Sequence, residues 1–495
     1  MNLSQLIDSL KADDYFCDNL TAWRTFPERP ARFADFPESV HPELVAGFRK
    51  RGISRLYSHQ QEAFSAIDAG KNVCVVTPTA SGKTLCYNLP VLNRLMSEPE
   101  SRALYLFPTK ALSQDQVTEL TETIDSLDVK IGAYTFDGDT PASARKAVRN
   151  AGHVIVTNPD MLHAGILPHH TIWVRLFENL KYVVIDEIHH YRGVFGSHLT
   201  NVLRRLKRLC AFYGAQPQFI CCSATIANPQ ELAERLIEAP VELIDDNGAP
   251  AGEKHFLFYN PPVVNRELGI RASSVKRAGR LASSLLFKKV QSIVFARSRL
   301  RVEILTTYLK DAVERRGGDA SKVRGYRGGY LPTERREIEQ GLRNGEVMAV
   351  VSTNALELGI DIGSLDVCIM CGYAGGISRT WQQAGRAGRR SATALIILVA
   401  SSAPLDQYII NHPDYFFDQR PESATIDANN LFVLSSHLKC AAFELPFTEG
   451  DSFGLDPSST AELLDFLAQH RVLRKTRNRW HWSAESYPAS EISLR

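Results

Sequence analysis

The chain has 495 residues, 44% of them hydrophobic and 23% charged, with a formal net charge of +2. That length exceeds what one hydrophobic core organises, so roughly two to four domains are expected. The near-neutral balance excludes a global basic field, and any polyanion must be met by local clusters. No apolar run reaches membrane-spanning length, and Met1–Leu6 has neither a basic n-region nor an apolar h-region. A cytoplasmic protein with no membrane contact is therefore expected.

Residues 1–45 are expected to form an arm. Leu3, Leu6, Ile7 and Leu10 fall at helical spacing, and proline-broken aromatic chain follows (Trp23, Phe26, Pro27, Pro30, Phe33). A first domain is expected over 46–245. Near its start, Leu56-Tyr57-Ser58-His59-Gln60 opens a helix. Gln60 can pair with both the donor and the acceptor edge of adenine, and Tyr57 can stack on the ring.

The apolar run Val73–Val76 reads as a buried strand and the chain after Lys83 as a helix. Between them, Thr77-Pro78-Thr79-Ala80-Ser81-Gly82-Lys83-Thr84 is a phosphate-binding loop of the G-x-x-x-x-G-K-[ST] kind, with Thr77 in place of the first glycine. Backbone N–H groups at a helix start, with Thr79 and Ser81 beside them, face a polyanion. Gly82 permits close approach, Lys83 reaches the outer phosphates and Thr84 offers a hydroxyl to Mg²⁺.

From Ser101 strand-like and helical runs alternate, the pattern of βαβ units in a mainly parallel sheet. Thr109, Lys110, Thr157 and Asn158 stand at the carboxyl ends of such strands, where they could hold a phosphodiester backbone. Helix capping by Thr109 and Asn158 is the other reading. Tyr182–Ile185 forms a strand ending in Asp186-Glu187, a costly pair to bury without a metal or donors. Asp186 is expected to share the Mg²⁺ with Thr84, and Glu187 to orient or deprotonate water. His189 is expected to link this pair to the next strand end, Ser223-Ala224-Thr225.

A turn-rich linker (246–255) leads to a second alternating block (256–420). It contains Ser292–Arg297, Val347–Asp361 and the segment Gln382 to Arg390. Arg386 and Arg389 lie three apart with small residues between them, as arginine fingers reaching a phosphate cluster require. Cys368 and Cys371 have C-x-x-C spacing but no second pair nearby, so they read as core residues rather than zinc ligands. Over 421–495 the alternation stops. Two helices (431–444 and 459–470) and a hairpin over 471–482 suggest a winged helix. The hairpin carries five basic residues in nine, Arg474, Lys475 and Arg477 among them, beside Trp480 and Trp482. That composition suits phosphate contact and base stacking, although Trp480 and Trp482 could equally be core residues of a solvated wing.

Thr77–Thr84, Asp186–His189, Ser223–Thr225, Thr353–Asp361 and Gln382–Arg389 stand in the order and spacing of superfamily 2 helicases, in a DEIH-box variant. Leu56–Gln60, Thr77–Asn88, Tyr134–Thr140 and Thr157–Leu162 make the chain resemble the MrfA (YprA-like) branch, related to RecQ-like Hrq helicases. The resemblance implies an α/β fold of two tandem RecA-like domains followed by a winged-helix-like domain. It implies ATP hydrolysis with Mg²⁺, 3′-to-5′ translocation on single-stranded DNA and action on tailed or forked duplexes. A role in the repair of interstrand crosslinks of the mitomycin type, and a monomer, are also expected. Gly359 and Asp361 would then touch nucleotide, Arg297 and Thr353 nucleic acid, and Gln382 would join His189, Ser223 and Thr225 in coupling the two. The branch continues into a four-cysteine metal domain that is not found before Arg495, so no zinc is expected in this segment. An RNA helicase with the same engine, or a nucleic-acid clamp without turnover, are the competing readings.

Overall fold

The computed structural model describes residues 2–78, 80–127, 129–357, 359, 362–363, 365–388 and 392–495. They divide into two compact units. One is built from Phe33–Thr77, Gly82–Asn247 and Ser423–Arg495, the other mainly from residues up to Arg32 and Gly248–Glu422. Both are parallel sheets flanked by helices.

The first unit's sheet runs in the order Glu242–Ile244, Val73–Val76, Gln218–Ser223, Leu180–Ile185, Arg102–Leu106, Val154–Thr157, Ala133–Thr135. Every neighbouring pair is parallel. Parallel strands are covered on both faces and so read as unbroken apolar runs rather than alternating ones. Val73–Val76 and Val154–Thr157 are buried at every position. Two of the strands hand over to their helices through a capping side chain. Thr109 accepts from the Leu112 N–H (3.4 Å) and Asn158 from the Met161 N–H (2.9 Å), each satisfying a donor the helix leaves open.

The second unit's sheet runs Leu20–Phe26, Lys254–Tyr259, Ala394–Val399, Val367–Cys371, Ser292–Ala296, Ala349–Ser352, Val323–Tyr326. Leu20–Phe26 pairs antiparallel with Lys254–Tyr259; the remaining pairs are parallel. The N-terminal arm thus supplies the edge strand of a sheet whose other strands lie more than 200 residues later in the chain, pairing the hydrogen-bonding groups that Lys254–Tyr259 would otherwise leave open. Its helix Leu3–Lys11 carries an Asn2/Gln5 capping box and buries Leu6 and Ile7. The expected arm divides at Arg32/Phe33, and from Phe33 onward the chain belongs to the first unit.

The C-terminal segment comprises the helices Leu431–Glu444 and Pro457–Gln469 and a three-stranded sheet in the order Phe447–Thr448, Arg479–Trp482, Leu473–Thr476. Its small core joins Leu434, Leu438, Phe447, Leu464 and Trp480. This winged helix belongs to the first unit. Ala424, Ile426 and Leu494 share a core with Val183 and Ile185 of the sheet and with Trp173 and Leu199. At the seam, Arg205 on the helix Gly193–Phe212 is fully buried and chelated by the Glu444 carboxylate. Arg205 also reaches His163 Nδ1 (2.6 Å) and the His163 carbonyl (3.0 Å), while His198 Nδ1 meets His437 Nε2 at 2.9 Å.

Candidate nucleotide and nucleic-acid site

The phosphate loop is shaped by Gly82, whose φ of +79° lies in the left-handed region. A Cβ there would sit 2.6 Å from Gln60 Nε2, so conformation and space both require glycine. Gln60 bridges the two motifs. Its Oε1 accepts from the Tyr57 N–H (2.9 Å) and its Nε2 donates to the Gly82 carbonyl (3.0 Å). Tyr57 stacks on Phe33 with ring centroids 5.5 Å apart. Thr77, standing where a glycine is usual, is fully buried, and its carbonyl accepts from Lys83 Nζ at 3.0 Å. Ser81 is buried beside Gly82. Thr79 lies outside the described residues.

Lys83 Nζ also donates to the Ser223 carbonyl (3.1 Å), so backbone carbonyls hold the ammonium at the ends of two adjacent strands. Asp186 ends the next strand. Its Oδ1 accepts from the Glu187 N–H (2.7 Å) and its Oδ2 from Tyr87 Oη (3.3 Å). Burial, reinforced by the neighbouring Glu187 carboxylate, pushes Asp186 up to about 7 against the pull of Lys83. A buried carboxylate held above its ordinary range is one a divalent cation would relieve. Thr84 Oγ1 donates to Gln116 Oε1 (3.2 Å), and the single Tyr87 hydroxyl proton is shared between that oxygen (3.0 Å) and Asp186 Oδ2. Among the described residues no group of three or more His, Cys, Asp or Glu is arranged for a metal. The residues fit Mg²⁺ none the less, because Mg²⁺ takes one or two protein oxygens and fills its shell with phosphates and water.

Glu187 adopts φ +54°, a strained setting for a residue with a Cβ. Next to it, His189 Nδ1 accepts from the Ala224 N–H (3.2 Å) and lies 3.4 Å from Glu187 Oε2. Burial pushes His189 down to about 3, so the ring is neutral at ordinary pH. The ring joins the carboxylate segment to the Ser223–Thr225 segment, where Ser223 is buried and Thr225 exposed.

In the second unit Arg386 is fully buried, donating to the Glu357 carbonyl at 2.9 Å. Gln383 Nε2 and Arg379 Nε hold the Glu357 carboxylate at 3.2 and 3.1 Å. Burial still leaves Glu357 above its ordinary range. Gln382 is buried in the same helix and Gly359 half-buried. Asp361 and Arg389 lie outside the described residues. Arg297 pairs with the buried Asp406 and donates to the Tyr373 carbonyl at 2.9 Å, and Thr353 caps the following turn.

The expected nucleic-acid residues are placed unequally. Lys110 is exposed and paired with Asp139 at 2.9 Å. Thr157 is fully buried, its hydroxyl donated to the Phe136 carbonyl (2.6 Å), and Asn158 is buried as a helix cap. On the hairpin, Arg474 and Arg477 are exposed. Trp480 is in the winged-helix core, with its indole N–H on Asp465 (2.8 Å) and Lys475 over its ring at 4.5 Å. Three groups were not read from the sequence: Tyr87 and Gln116 behind the phosphate loop, and Glu357 behind Arg386. Tyr87 sits one turn after Lys83, so helical spacing pointed to it; Gln116 and Glu357 gave no such signal.

No helix of the described residues is long and apolar enough to cross a membrane. Residues 57–232 match the DEAD/DEAH box helicase family, 278–391 the helicase conserved C-terminal domain, and 426–495 the winged helix domain of ATP-dependent helicase HRQ1. The chain is 56% identical over 494 residues to the uncharacterized ATP-dependent helicase YprA of Bacillus subtilis, covering all of this chain and 65% of that one. It is 38% identical over 455 residues to ATP-dependent helicase HRQ1 of Saccharomyces cerevisiae, covering 90% of this chain and 42% of that one. The crystal structure of DUF1998 helicase MrfA bound to DNA and AMPPNP superposes with a TM-score of 0.95 at 56% identity, over all of this chain and 68% of that one. The chain thus spans about two thirds or less of these relatives. Two parallel-sheet helicase domains and a winged helix, carrying this set of motifs and matching these relatives, place the chain in the DEAD/DEAH box (superfamily 2) helicase family, in the branch of MrfA/YprA and Hrq1.

Proposed function

We propose that the chain is the motor of an ATP-dependent DNA helicase, moving 3′ to 5′ on single-stranded DNA and opening tailed or forked duplexes in DNA repair. The observation that carries the reading is the Lys83 ammonium seated on the Thr77 and Ser223 carbonyls beside the buried Asp186 and its neighbour Glu187. It is supported by the similarity to MrfA, whose structure holds DNA and AMPPNP.

Thr84 and Asp186 would hold Mg²⁺, which when bound neutralises phosphate charge. Gln60 exchanges its present bonds for the edge of adenine, and Tyr57 flanks the ring. Lys83 moves from two carbonyls to the outer phosphates, a gain of charge-assisted contact. Glu187 orients the attacking water and accepts its proton. Arg386 and Arg389 stabilise charge on the transferring phosphoryl group. His189, between Glu187 and the Ala224 N–H, carries the state of the site to the Ser223–Thr225 segment. Backbone contact through exposed cations such as Lys110, Arg474 and Arg477 makes binding sequence-independent and salt-sensitive. Mitomycin-type crosslink damage is the substrate this reading favours, and a monomer suffices for it.

The test is ATP-dependent strand displacement from duplexes with a 3′ DNA, a 5′ DNA or a 3′ RNA tail, with Lys83→Ala and Glu187→Gln as controls. Displacement from the 3′ DNA tail alone, lost in both variants, is expected. Preference for the RNA tail would make the protein an RNA helicase. Turnover unchanged in Glu187→Gln would overturn the catalytic assignment.

A further inference from the structure

The second unit carries a groove of about 960 Å³ between the helices Ser274–Phe287 and Arg299–Glu314. Lys276, Arg280 and Lys288 line one side and Arg315 and Arg316 the other, and no carboxylate is among the lining residues. Among the described residues none of these five cations is in an ion pair. Asp311 and Glu314 lie on the same helix but outside the groove.

The layout is regular. Lys276, Arg280, Ser284 and Lys288 are spaced four apart, so they form one row with about 6 Å between members. Ser284 adds a hydroxyl, while that of Ser283 is donated to the Gly279 carbonyl at 2.9 Å. Two aromatic rings face the same space: Phe287, over which the Arg316 guanidinium lies at 4.3 Å, and Tyr308, 44% exposed. A cationic track with a hydroxyl and interleaved aromatic rings is the composition of a single-strand binding groove, in which phosphates follow the charges and bases stack.

Position sets it apart from the residues expected to meet nucleic acid. The helix Ser274–Phe287 runs into Ser292–Ala296, so its last turn lies at that strand's amino end. The helix Arg299–Glu314 follows the same strand and returns to the amino end of Val323–Tyr326. Lys288, Arg315 and Arg316 therefore sit at the opposite end of the sheet from Arg297 and Thr353, which follow strand carboxyl ends. We propose that this groove is a second binding site for single-stranded nucleic acid, holding a length of strand away from the motor's own track. The inference rests on the DNA-helicase reading for its ligand and on the groove for its place.

The test is fluorescence anisotropy with labelled oligothymidylates of about 12 and about 40 nucleotides, across a salt series. The full chain is compared with Lys276→Glu/Arg280→Glu/Arg315→Glu/Arg316→Glu. Expected is at least a tenfold loss of affinity for the long strand and a salt slope flatter by about 2 to 3. Short-strand binding and ATP turnover at saturating DNA should be unchanged. Equal long-strand affinity and slope in both proteins would overturn the proposal. So would loss of labelled polyglutamate binding in the variant with long-strand binding retained, which would assign the groove to an acidic peptide. If charge reversal lowers the melting temperature, Lys276→Gln/Arg280→Gln and Tyr308→Ala decide by the same criteria. A wild-type chain whose ATP turnover no DNA stimulates would count instead against the helicase reading.

Discussion

Two cations in the first unit, half-buried Lys83 and fully buried Arg205, are held in opposite ways. Arg205 at the winged-helix seam is answered by the full carboxylate of Glu444 and by the rings and carbonyls around it. Lys83 rests on two carbonyl oxygens, while the nearby Asp186 carboxylate stays above its ordinary range despite the ammonium's pull. A buried charge matched inside the protein is a fastening. One left only partly matched marks where a ligand completes the electrostatics.

That contrast is open to measurement. Glu444→Ala strands Arg205 and should cost about 3–5 kcal/mol of stability, read as a lower urea midpoint. Arg205→Met/Glu444→Leu should recover most of the loss, and a double variant as unstable as the single would refute the fastening role. Lys83→Ala should do the reverse, lowering DNA-stimulated ATP turnover by about 100-fold or more with little change in midpoint. A large stability loss would place Lys83 with Arg205.

Acid should loosen the seam. Burial, then Arg205, pushes His163 down to about 3, and burial holds His437 well below its ordinary value. The unfolded chain therefore takes up protons first. The stability that His163 contributes is complete above about pH 6.5 and is lost as pH falls toward 3, roughly 2 kcal/mol of it by pH 5. Urea midpoints at pH 7 and pH 5 check this, and the difference should shrink in His163→Gln. The smallest effect expected is that of Gln60→Ala, which removes the amide joining Tyr57 to Gly82. A rise in KM for ATP of several-fold, about 1 kcal/mol, with reduced discrimination against GTP, would support adenine reading. An unchanged KM would leave Gln60 a structural brace.

The strand–loop–helix of Val73 to Thr84, the Asp186–Glu187 strand end and the helices and hairpin after Leu431 were legible because each is written in local chain. Burial on both faces gives unbroken apolar runs, capping requires Thr109 and Asn158 where strands end, and a phosphate loop demands Gly82 and Lys83 at fixed spacing. The same local rules could not separate capping from ligand contact. Thr157 is expected from the sequence at a phosphodiester backbone, and Trp480 either against bases or in the core; the structure turns the hydroxyl of the first to the Phe136 carbonyl and gives the second its core position.

By itself, then, the sequence pointed to the alternation of strands and helices in both parallel-sheet blocks, to an expected phosphate-binding loop, and to the family whose motifs it carries. Tertiary structure alone decided that Leu20–Phe26 completes a sheet assembled far later in the chain, and that the winged helix joins the first unit through Arg205 and Glu444. Five cations spread over two helices likewise became one groove. The reason is physical. Propensity, capping and loop geometry act over a few residues. Edge pairing, buried charge matching and shared cores depend on which distant surfaces meet, and no periodicity in the chain records that.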